Sequence, residues 1–465
     1  MQHSLRRRNV LAAAAASVIP GVWPSMADAW IPQRSRITER PRIAAVFTVL
    51  RFRSHAFNIL ENFLGPYYFN GRLTDPGVDV VSFYADQFPD DDMARDVSRR
   101  FKIPLFGSID EALCLKGKQL AVDGVLLIGE HGDYPYNELG QHMYPRKRFF
   151  DAAVDVMQRS GRYVPLFNDK HLSYRWDWAR TMFDTARRNS LPLIAGSSVP
   201  LAQRCPDISL PEGAEIEEAV SIHGGGLESY DFHAFEVLQS FVESRAGGET
   251  GIAEIQLLTG QDFEKAKRAG RWSQDLVDAA MAAEQDMSAV RQTKPTTGVF
   301  AKKPAHKDTG KESPPARPSG SYAICITYVD GLKATVLKHG SSADRWNFAC
   351  RLRKEKQPRA TALFNGPWGN RCLFKALSHA IQHAFTTGTE PYPADRTLLT
   401  TGAVEAVMQS WNQAGKAIST PHLSIRYQPT DFTGFRESGA SWSVITKDVP
   451  QSVGFEPRSF ADLPR

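Results

Sequence analysis

The chain of 465 residues has few cysteines, no long apolar run and little excess charge. Its five cysteines form no C-x-x-C pair, which excludes zinc-ribbon and dithiol redox motifs, and so small an odd number does not indicate a disulfide framework. No uncharged apolar run of about eighteen residues follows the N-terminus, which excludes a multi-spanning membrane protein. The 56 basic and 51 acidic residues leave a formal charge of +5, too small a surplus to indicate a nucleic-acid partner.

The sequence also lacks the motifs of several enzyme classes. It contains no G-x-S-x-G elbow, H-E-x-x-H or Walker sequence, which argues against serine esterases, zinc proteases and P-loop NTPases. The first predicted strand leads into Thr48–His55 (TVLRFRSH), a turn without glycine, where a dinucleotide site normally has G-x-G-x-x-G. Such a turn either binds a pyrophosphate through side chains or packs, or binds another anion. The residues predicted to contact a cofactor there are Thr48, Arg51, Arg53 and Ser54.

Residues 1–29 have the features of an export signal. Arg6–Arg8 precede an alanine-rich apolar stretch, and Ala27–Ala29 (ADA) has the small-x-small pattern of a cleavage site. The paired arginines before Asn9–Leu11 resemble a twin-arginine signal, which exports folded proteins; a general secretory signal or an uncleaved anchor helix is the alternative. We therefore expect a periplasmic or extracellular protein that uses the twin-arginine export machinery and keeps no membrane span after cleavage.

After a linker over residues 30–41, residues 42–210 alternate between strands and helices. Apolar runs at Ile43–Thr48, Val78–Ala85 and Val122–Ile128 are separated by amphipathic stretches. This alternation predicts an α/β fold with a Rossmann-like, doubly wound parallel sheet. Ligands bind such sheets at the carboxyl ends of the strands. Asp86 follows the second strand, so we expect it to accept hydrogen bonds from a ribose diol, which favours NAD over NADP.

Residues 211–430 have a different rhythm. Their extended and helical stretches predict an α+β domain with a mostly antiparallel sheet, suited to binding a substrate and to forming a homo-oligomer. Residues 291–320 interrupt it with a basic, proline-rich segment, predicted to be a solvated loop rather than a patch for an acidic partner. Residues 431–465 are predicted to form a C-terminal tail.

A polar loop follows the most apolar strand, from Glu130 to Arg148. Its position predicts a lid or wall over the ligand, with Glu130 and His131 facing a cofactor. The alternative is a metal site that uses Glu130, His131 and Asp133. These three are too close in sequence to complete a ligand set without His171 or His233 from elsewhere in the chain. The interpretation that we adopt has no metal.

Several stretches together resemble one family, the glucose–fructose oxidoreductase / inositol dehydrogenase (Gfo/Idh/MocA) superfamily, over most of residues 42–430. Asp169–His171 (DKH) stands after a strand where that family has E-K-P, and Gly224–Gly226 leads through Tyr230 to His233. Three other segments also resemble family segments: Asp91–Ala112, Val122–Ile128 and Pro391–Gly402.

The resemblance implies a nucleotide-binding domain and a substrate domain that act on a sugar or cyclitol with NAD or NADP. Lys170 matches the family lysine, His233 its histidine, and Asp169 the glutamate of E-K-P, which we assign to the cofactor. Ser229 stands where the family has an aspartate, so Asp231 is the nearest substitute. The implied function is an exported oxidoreductase acting on a sugar, cyclitol or glycoside. This function includes a redox-neutral variant that cleaves a glycoside. The alternative is a non-catalytic ligand-binding protein of the same fold with a degenerate nucleotide site.

Overall fold

A computed structural model describes residues 39–286 and 316–446, with residues 448, 449, 451, 455 and 457 beyond them. The predicted export signal, most of the linker and most of the basic loop lie outside the described residues. Both sheets belong to one compact unit that begins at Arg40. No helix in the described ranges is both long and apolar enough to cross a membrane.

The first sheet has six parallel strands in the order of a doubly wound Rossmann sheet. Numbered by their own succession, its strands run 3-2-1-4-5-6 across the sheet. The two central strands are buried along almost their whole length, as expected for a sheet that helices cover on both faces. In sheet order the strands are β5 (Leu105–Phe106), β4 (Asp79–Ala85), β1 (Arg42–Phe47), β6 (Gly124–Ile128), β7 (Leu166–Asp169) and β8 (Leu193–Gly196).

Five helices connect these strands, as the alternation predicted. They are α1 (His55–Leu60), α2 (Ala94–Phe101), α3 (Ile109–Cys114), α4 (Arg146–Arg159) and α5 (Trp176–Arg188). A short hairpin, β2 (Tyr67–Phe69) and β3 (Arg72–Thr74), lies between α1 and β4 and was not predicted.

The second sheet has eight strands, and its neighbours are antiparallel apart from β10 and β13. In sheet order they are β16 (Ile418–Ser419), β11 (Ile252–Thr259), β12 (Tyr322–Tyr328), β13 (Lys333–Lys338), β10 (Ile216–His223), β14 (Trp346–Leu352), β15 (Arg359–Phe364) and β9 (Gln203–Cys205). The predicted fold class, a Rossmann-like sheet plus a mostly antiparallel α+β part, is therefore confirmed. Strand β9 joins this sheet ahead of residue 210, where the sequence predicts the domain boundary.

The described part of the second half of the chain contains five helices. They are α6 (Ser229–Val242), α7 (Gly260–Arg268), α8 (Gln274–Asp286), α9 (Asn370–Thr387) and α10 (Ala394–Asn412). The last two of them, α9 and α10, pack against the first half. Phe374 and Leu377 of α9 share a core with Ile43 and Phe47 of β1. The buried guanidinium of Arg396 in α10 forms an ion pair with Glu243, which follows α6. Elements from both halves of the chain line the cavity described next.

Candidate functional site

A cavity of about 870 Å³ lies where the carboxyl ends of the first sheet face the second half of the chain. Its volume falls within the range of small-molecule sites, about 300–1,000 Å³. The first half contributes residues that follow β1, β6, β7 and β8. The second half contributes the start of α6, the residues before β14 and the loop before α9. The cavity thus occupies the place where a doubly wound sheet binds its ligands.

A buried ion cluster forms the floor around Lys170. The Lys170 Nζ donates a hydrogen bond to Glu130 Oε1 at 2.8 Å, and the Arg146 guanidinium donates to the other oxygen. Each of these residues is less than one-tenth exposed. Burial alone would raise the pKa of Glu130, but Lys170 and Arg146 hold it well below its usual value. The Glu130 carboxylate therefore fixes the Lys170 ammonium in position at the cavity.

A second buried pair joins α1 to β7. His55 Nδ1 lies 2.7 Å from Asp169 Oδ2, and the two side chains are 11% and 1% exposed. Since a carboxylate only accepts, Nδ1 carries the proton of this bond. His55 lines the cavity, and its Nε2 has no hydrogen-bond partner among the residues that the structure describes. The ring also packs edge-on against His131, 5.2 Å away between centroids.

His233, His131 and His171 also line the cavity, and burial keeps each of them in the uncharged form. Burial, and then the positive charge of Lys170, lower the pKa of His233 well below its usual value, and His233 Nδ1 lies 2.6 Å from Ser197 Oγ. Burial and the neighbouring His55 lower the pKa of His131 to about 3. Burial, and then Arg146, lower the pKa of His171 in the same direction. Uncharged imidazoles of this kind can accept a proton.

Aromatic rings also line the cavity. Tyr230 stacks on Trp346 with centroids 5.3 Å apart and an interplanar angle of 9°. The Tyr230 ring also lies so close to Gly225 that a Cβ there would be 1.9 Å from it, so only glycine leaves room for this stack. Flat aromatic faces offer an apolar surface to the C–H face of a sugar ring.

Glu228 closes the rim of the cavity at the start of α6. Its Oε2 accepts a hydrogen bond from Arg317 at 2.9 Å, and its Oε1 accepts from the His142 amide at 3.2 Å. Burial raises the pKa of Glu228 to about 7, against the opposing effect of Arg317. Glu228 can therefore exchange a proton near neutral pH.

Strained backbone concentrates around this cavity. Arg53, His131, Lys170 and Glu228 all line it, and all have positive φ values, of 62°, 71°, 62° and 74°. A bulky residue in the left-handed region costs energy, and such residues gather at functional sites where the surrounding fold holds them in place. Four separate turns are thus bent to present side chains to one volume.

The structure brings together five of the predicted site residues. The cavity is lined by Arg53, Glu130, His131, Lys170 and His233.

Asp231, predicted as a catalytic candidate, lies elsewhere. It is fully buried, and its carboxylate accepts from the Glu228 amide at 2.6 Å and from the Tyr322 hydroxyl at 2.9 Å. Two residues along a helix turn a side chain by about 200°, so Asp231 and His233 cannot share a face. Asp231 caps α6 and does not line the cavity.

The other residues predicted to bind a cofactor do not line the cavity. Thr48 donates to the Glu130 carbonyl at 2.6 Å, and Ser54 caps α1 by accepting from the Phe57 amide and from the Arg51 amide. Asp169 holds His55, as described above. Three of the four turn residues therefore serve the local structure, and Arg53 alone reaches the cavity, where it also donates to the Trp368 carbonyl.

Asp86 stands at the end of the second Rossmann strand, as predicted for a ribose ligand. Its oxygens already accept from the Tyr84 hydroxyl at 2.8 Å, the Tyr134 hydroxyl at 2.6 Å and the Arg148 guanidinium at 2.7 Å. We call residues 130–136 the bridging loop. A pair of hydrogen bonds between Gln87 and the backbone of Asp133 ties this loop to the same strand end. The bridging loop thus contacts Asp86 on one side and the cavity on the other.

A metal-binding arrangement does not appear in the described part of the chain. No group of three or more His, Cys, Asp or Glu side chains there is placed to hold a metal ion. The metal alternative for Glu130, His131 and Asp133 thus has no geometric support.

No known protein-family model matches the chain, and no curated protein matches its sequence. The solved structures that it resembles include several dehydrogenases. They include GenD2 from gentamicin A biosynthesis in complex with NAD, with 12% identity and a TM-score of 0.49 over 84% of this chain and 99% of that chain. They also include scyllo-inositol dehydrogenase from Lactobacillus casei with NAD(H) and scyllo-inositol (10% identity, TM-score 0.47, 82% and 99% covered). A myo-inositol dehydrogenase from Corynebacterium glutamicum has 12% identity and a TM-score of 0.47, with 82% and 99% covered.

Several contacts of the site were not predicted from the sequence. His55 was seen only as the end of a glycine-free turn, and Arg146 only as part of a basic run. A histidine at the first position of a helix, beyond a strand end, was the available signal for His55. Nothing in the sequence links Arg317 to Glu228, because the two lie 89 residues apart.

Proposed function

We propose that the chain is an NAD(P)-type oxidoreductase-like enzyme that acts on a hydroxyl-bearing carbon of a sugar, cyclitol or glycoside. The observation that carries the proposal is the cavity itself. In it, the Lys170 ammonium, held by Glu130, shares the cavity with uncharged histidines and with the Tyr230–Trp346 stack. Removal of a hydride from a carbinol needs a group that takes the hydroxyl proton and a cation that stabilises the developing alkoxide. The cavity holds both.

The residues divide these tasks. Lys170 supplies the positive charge at the substrate oxygen, and Glu130 and Arg146 keep it from moving. A histidine of the cavity takes the hydroxyl proton; the family resemblance implies His233, which is uncharged and lies within electrostatic range of Lys170. The Trp346–Tyr230 stack gives the ring of the substrate a face to pack against. Redox-neutral glycoside cleavage would begin with the same proton transfer.

Two parts of the chain fit a dinucleotide. Arg53 lines the cavity, and its Nε is buried without a hydrogen-bond partner within the described ranges, as suits a residue that binds a phosphate. Asp86 has the position of a ribose acceptor, which favours NAD over NADP. Its present partners Tyr134 and Arg148 would have to give way to the ribose hydroxyls. When bound, the nicotinamide would accept the hydride.

One observation favours the alternative, a ligand-binding protein that has lost its nucleotide. The turn after β1 is used for local structure, and three donors satisfy Asp86. The cavity would then serve a sugar-like ligand alone.

Cofactor content separates the two functions. The protein is purified after export, denatured, and its supernatant analysed by mass spectrometry for NAD and NADP. Isothermal titration with each nucleotide follows, and turnover is measured with a panel of aldoses, cyclitols and glycosides. A stoichiometric or titratable nicotinamide supports the enzyme; absence of both release and binding overturns the redox function.

Lys170→Met tests the assignment within the site. We expect turnover to fall by about a hundredfold or more, because the variant lacks the cation at the reacting oxygen. Removal of one partner of a buried ion pair also costs about 3–5 kcal/mol of unfolding free energy, so melting is recorded beside turnover. Lys147→Met, which breaks a half-exposed pair with Asp151 in α4, is the matched control. Full activity in the Lys170 variant would contradict the role.

We also propose that the protein is exported folded through the twin-arginine machinery. The support is the N-terminal sequence, in which Arg6–Arg8 precede an apolar stretch. Replacement of Arg6–Arg8 by three lysines should leave the protein in the cytoplasmic fraction, whereas a general secretory signal would tolerate this change.

A further inference from the structure

His55 and Asp169 form a unit that the proposed mechanism has not used. They come from residues 114 apart in sequence, and α1 and β7 bring Nδ1 and Oδ2 to 2.7 Å in a buried place. Asp169 is 1% exposed, and burying a carboxylate is costly unless it is compensated. A buried carboxylate that orients one imidazole nitrogen and leaves the other facing a ligand cavity is the arrangement that hydrolytic triads use to move protons.

The surroundings of His55 match this use. Phe374 of α9 packs edge-on against its ring at 4.7 Å, and His131 packs on another side at 5.2 Å, so the ring is held in one orientation. Glu130 and His233 both lie within electrostatic range of His55. His55 lines the same cavity as Lys170, and because Nδ1 is bonded to Asp169, Nε2 is the ring nitrogen that is left for a ligand there.

The hydrogen-bond partners of His55 and His233 differ in charge. When an imidazole takes up a proton it becomes a cation, and a nearby carboxylate stabilises that cation. Asp169 supplies such a charge to His55, whereas His233 has the neutral hydroxyl of Ser197 as its partner. The positive charge of Lys170 also lowers the pKa of His233, because it opposes a second positive charge there.

We infer that His55, oriented by Asp169, is the catalytic residue that takes the proton from the substrate hydroxyl, with Asp169 as its positioning residue. The inference rests on the proposed function. The O–H bond of the carbinol breaks, its proton goes to His55 Nε2, and its electron pair forms the new C=O bond. The hydride of that carbon would pass to a bound nicotinamide, the oxidant, so that the carbinol is oxidised and the cofactor reduced. His233 then serves as a neighbouring hydrogen-bond partner of the substrate.

Carbethoxylation by diethyl pyrocarbonate tests the unit without any substrate or cofactor. The full-length protein is treated, and the modified histidines are quantified over time by mass spectrometry. His171 is the internal control, because it lines the same cavity but bonds a backbone carbonyl, that of Ser173, instead of a carboxylate. We expect His55 to react about tenfold faster than His171, and Asp169→Asn to remove this difference while the His171 rate stays the same. Equal rates in the wild type, or no effect of Asp169→Asn, overturn the inference.

Turnover then tests the catalytic role. With the most rapidly oxidised compound of the panel, His55→Gly should lower kcat by about a hundredfold or more, and added imidazole should restore part of it. His233→Gly should raise KM more than it lowers kcat. If His233→Gly lost kcat and imidazole rescued only that variant, the proton acceptor would be His233, contrary to the inference.

The two proposals fail separately. If the protein binds no nicotinamide but His55 still reacts in an Asp169-dependent way, the redox function is wrong and the His55–Asp169 unit stands. A protein that binds nicotinamide and turns over with His55 replaced would keep the redox function and lose this inference.

Discussion

At the scale of single residues, the site is made of charges that are stable only as pairs. Glu130 forms ion pairs with both Lys170 and Arg146, and each of these three residues is less than one-tenth exposed. Ions buried in this way are tolerated because each faces an opposite charge at hydrogen-bond distance. At Glu228, burial raises the pKa more than the neighbouring Arg317 lowers it, so the pKa is about 7.

This raised pKa gives a pH dependence of stability. At about pH 4 Glu228 is protonated in both the folded and unfolded states. As the pH rises, the carboxyl ionises in the unfolded chain near its ordinary pKa of 4.5 and in the folded protein only near 7. The wild type therefore loses stability between these values, and the loss is complete above about pH 7.

Glu228→Gln should not show this loss. Relative to the wild type, its unfolding free energy should gain up to about 3 kcal/mol between pH 4 and pH 8, since one pKa unit corresponds to about 1.4 kcal/mol. Urea unfolding at both pH values measures the difference. Glu217→Gln, at an exposed position, sets the baseline. A gain that does not change with pH would show that Glu228 is not neutralised on folding.

At the scale of elements, the bridging loop is the decisive feature. It occupies the predicted ligand edge of the sheet, yet Tyr134 and Gln87 tie it to the end of β4. The loop was predicted as a lid or wall from its polar sequence. Its hydrogen bonds to Asp86 and Gln87 could not be predicted, because the partners lie 46 to 48 residues away and only the sheet order brings them together.

If a ribose exchanges with Tyr134 on Asp86, removing the tyrosine hydroxyl should favour the nucleotide. Tyr134→Phe should tighten NAD binding by about tenfold, because the competing hydrogen bond to a charged oxygen is worth about 1.5–3 kcal/mol. Isothermal titration measures the dissociation constant. Tyr163→Phe, at the amino end of β7, is the control. An unchanged affinity, or no binding by either protein, would show that Asp86 does not bind ribose.

At the scale of the whole molecule, the two halves predicted from the sequence are interleaved. Helix α9 belongs to the second half of the chain, but its apolar face completes the core over β1 and α1. Strand β9 leaves the first half and extends the second sheet. The described part of the molecule therefore shares one continuous set of packing contacts across both sheets.

A fragment of residues 40–210 should not fold alone. Without α9, the apolar surface that packs against Phe374, Leu377, Ile381 and Phe385 would be exposed to water. We expect the fragment to lack near-ultraviolet circular dichroism and a cooperative urea transition, whereas residues 40–465 show both. A cooperative transition of the fragment would mean that the first sheet is an independent domain.

The sequence by itself determined the fold class and the neighbourhood of the site. Its apolar periods specify parallel and antiparallel strands because those periods reflect local burial, and the strand-end rule points to Glu130. Lys170 and His233 were implied by the family resemblance. Tertiary structure alone decided the partners. The His55–Asp169 pair, the bonds that satisfy Asp86 and the withdrawal of Asp231 from the cavity depend on contacts between residues far apart in the chain or on the direction of a helix face. The packing of distant segments determines which charged side chains pair, so local sequence patterns cannot predict these pairs.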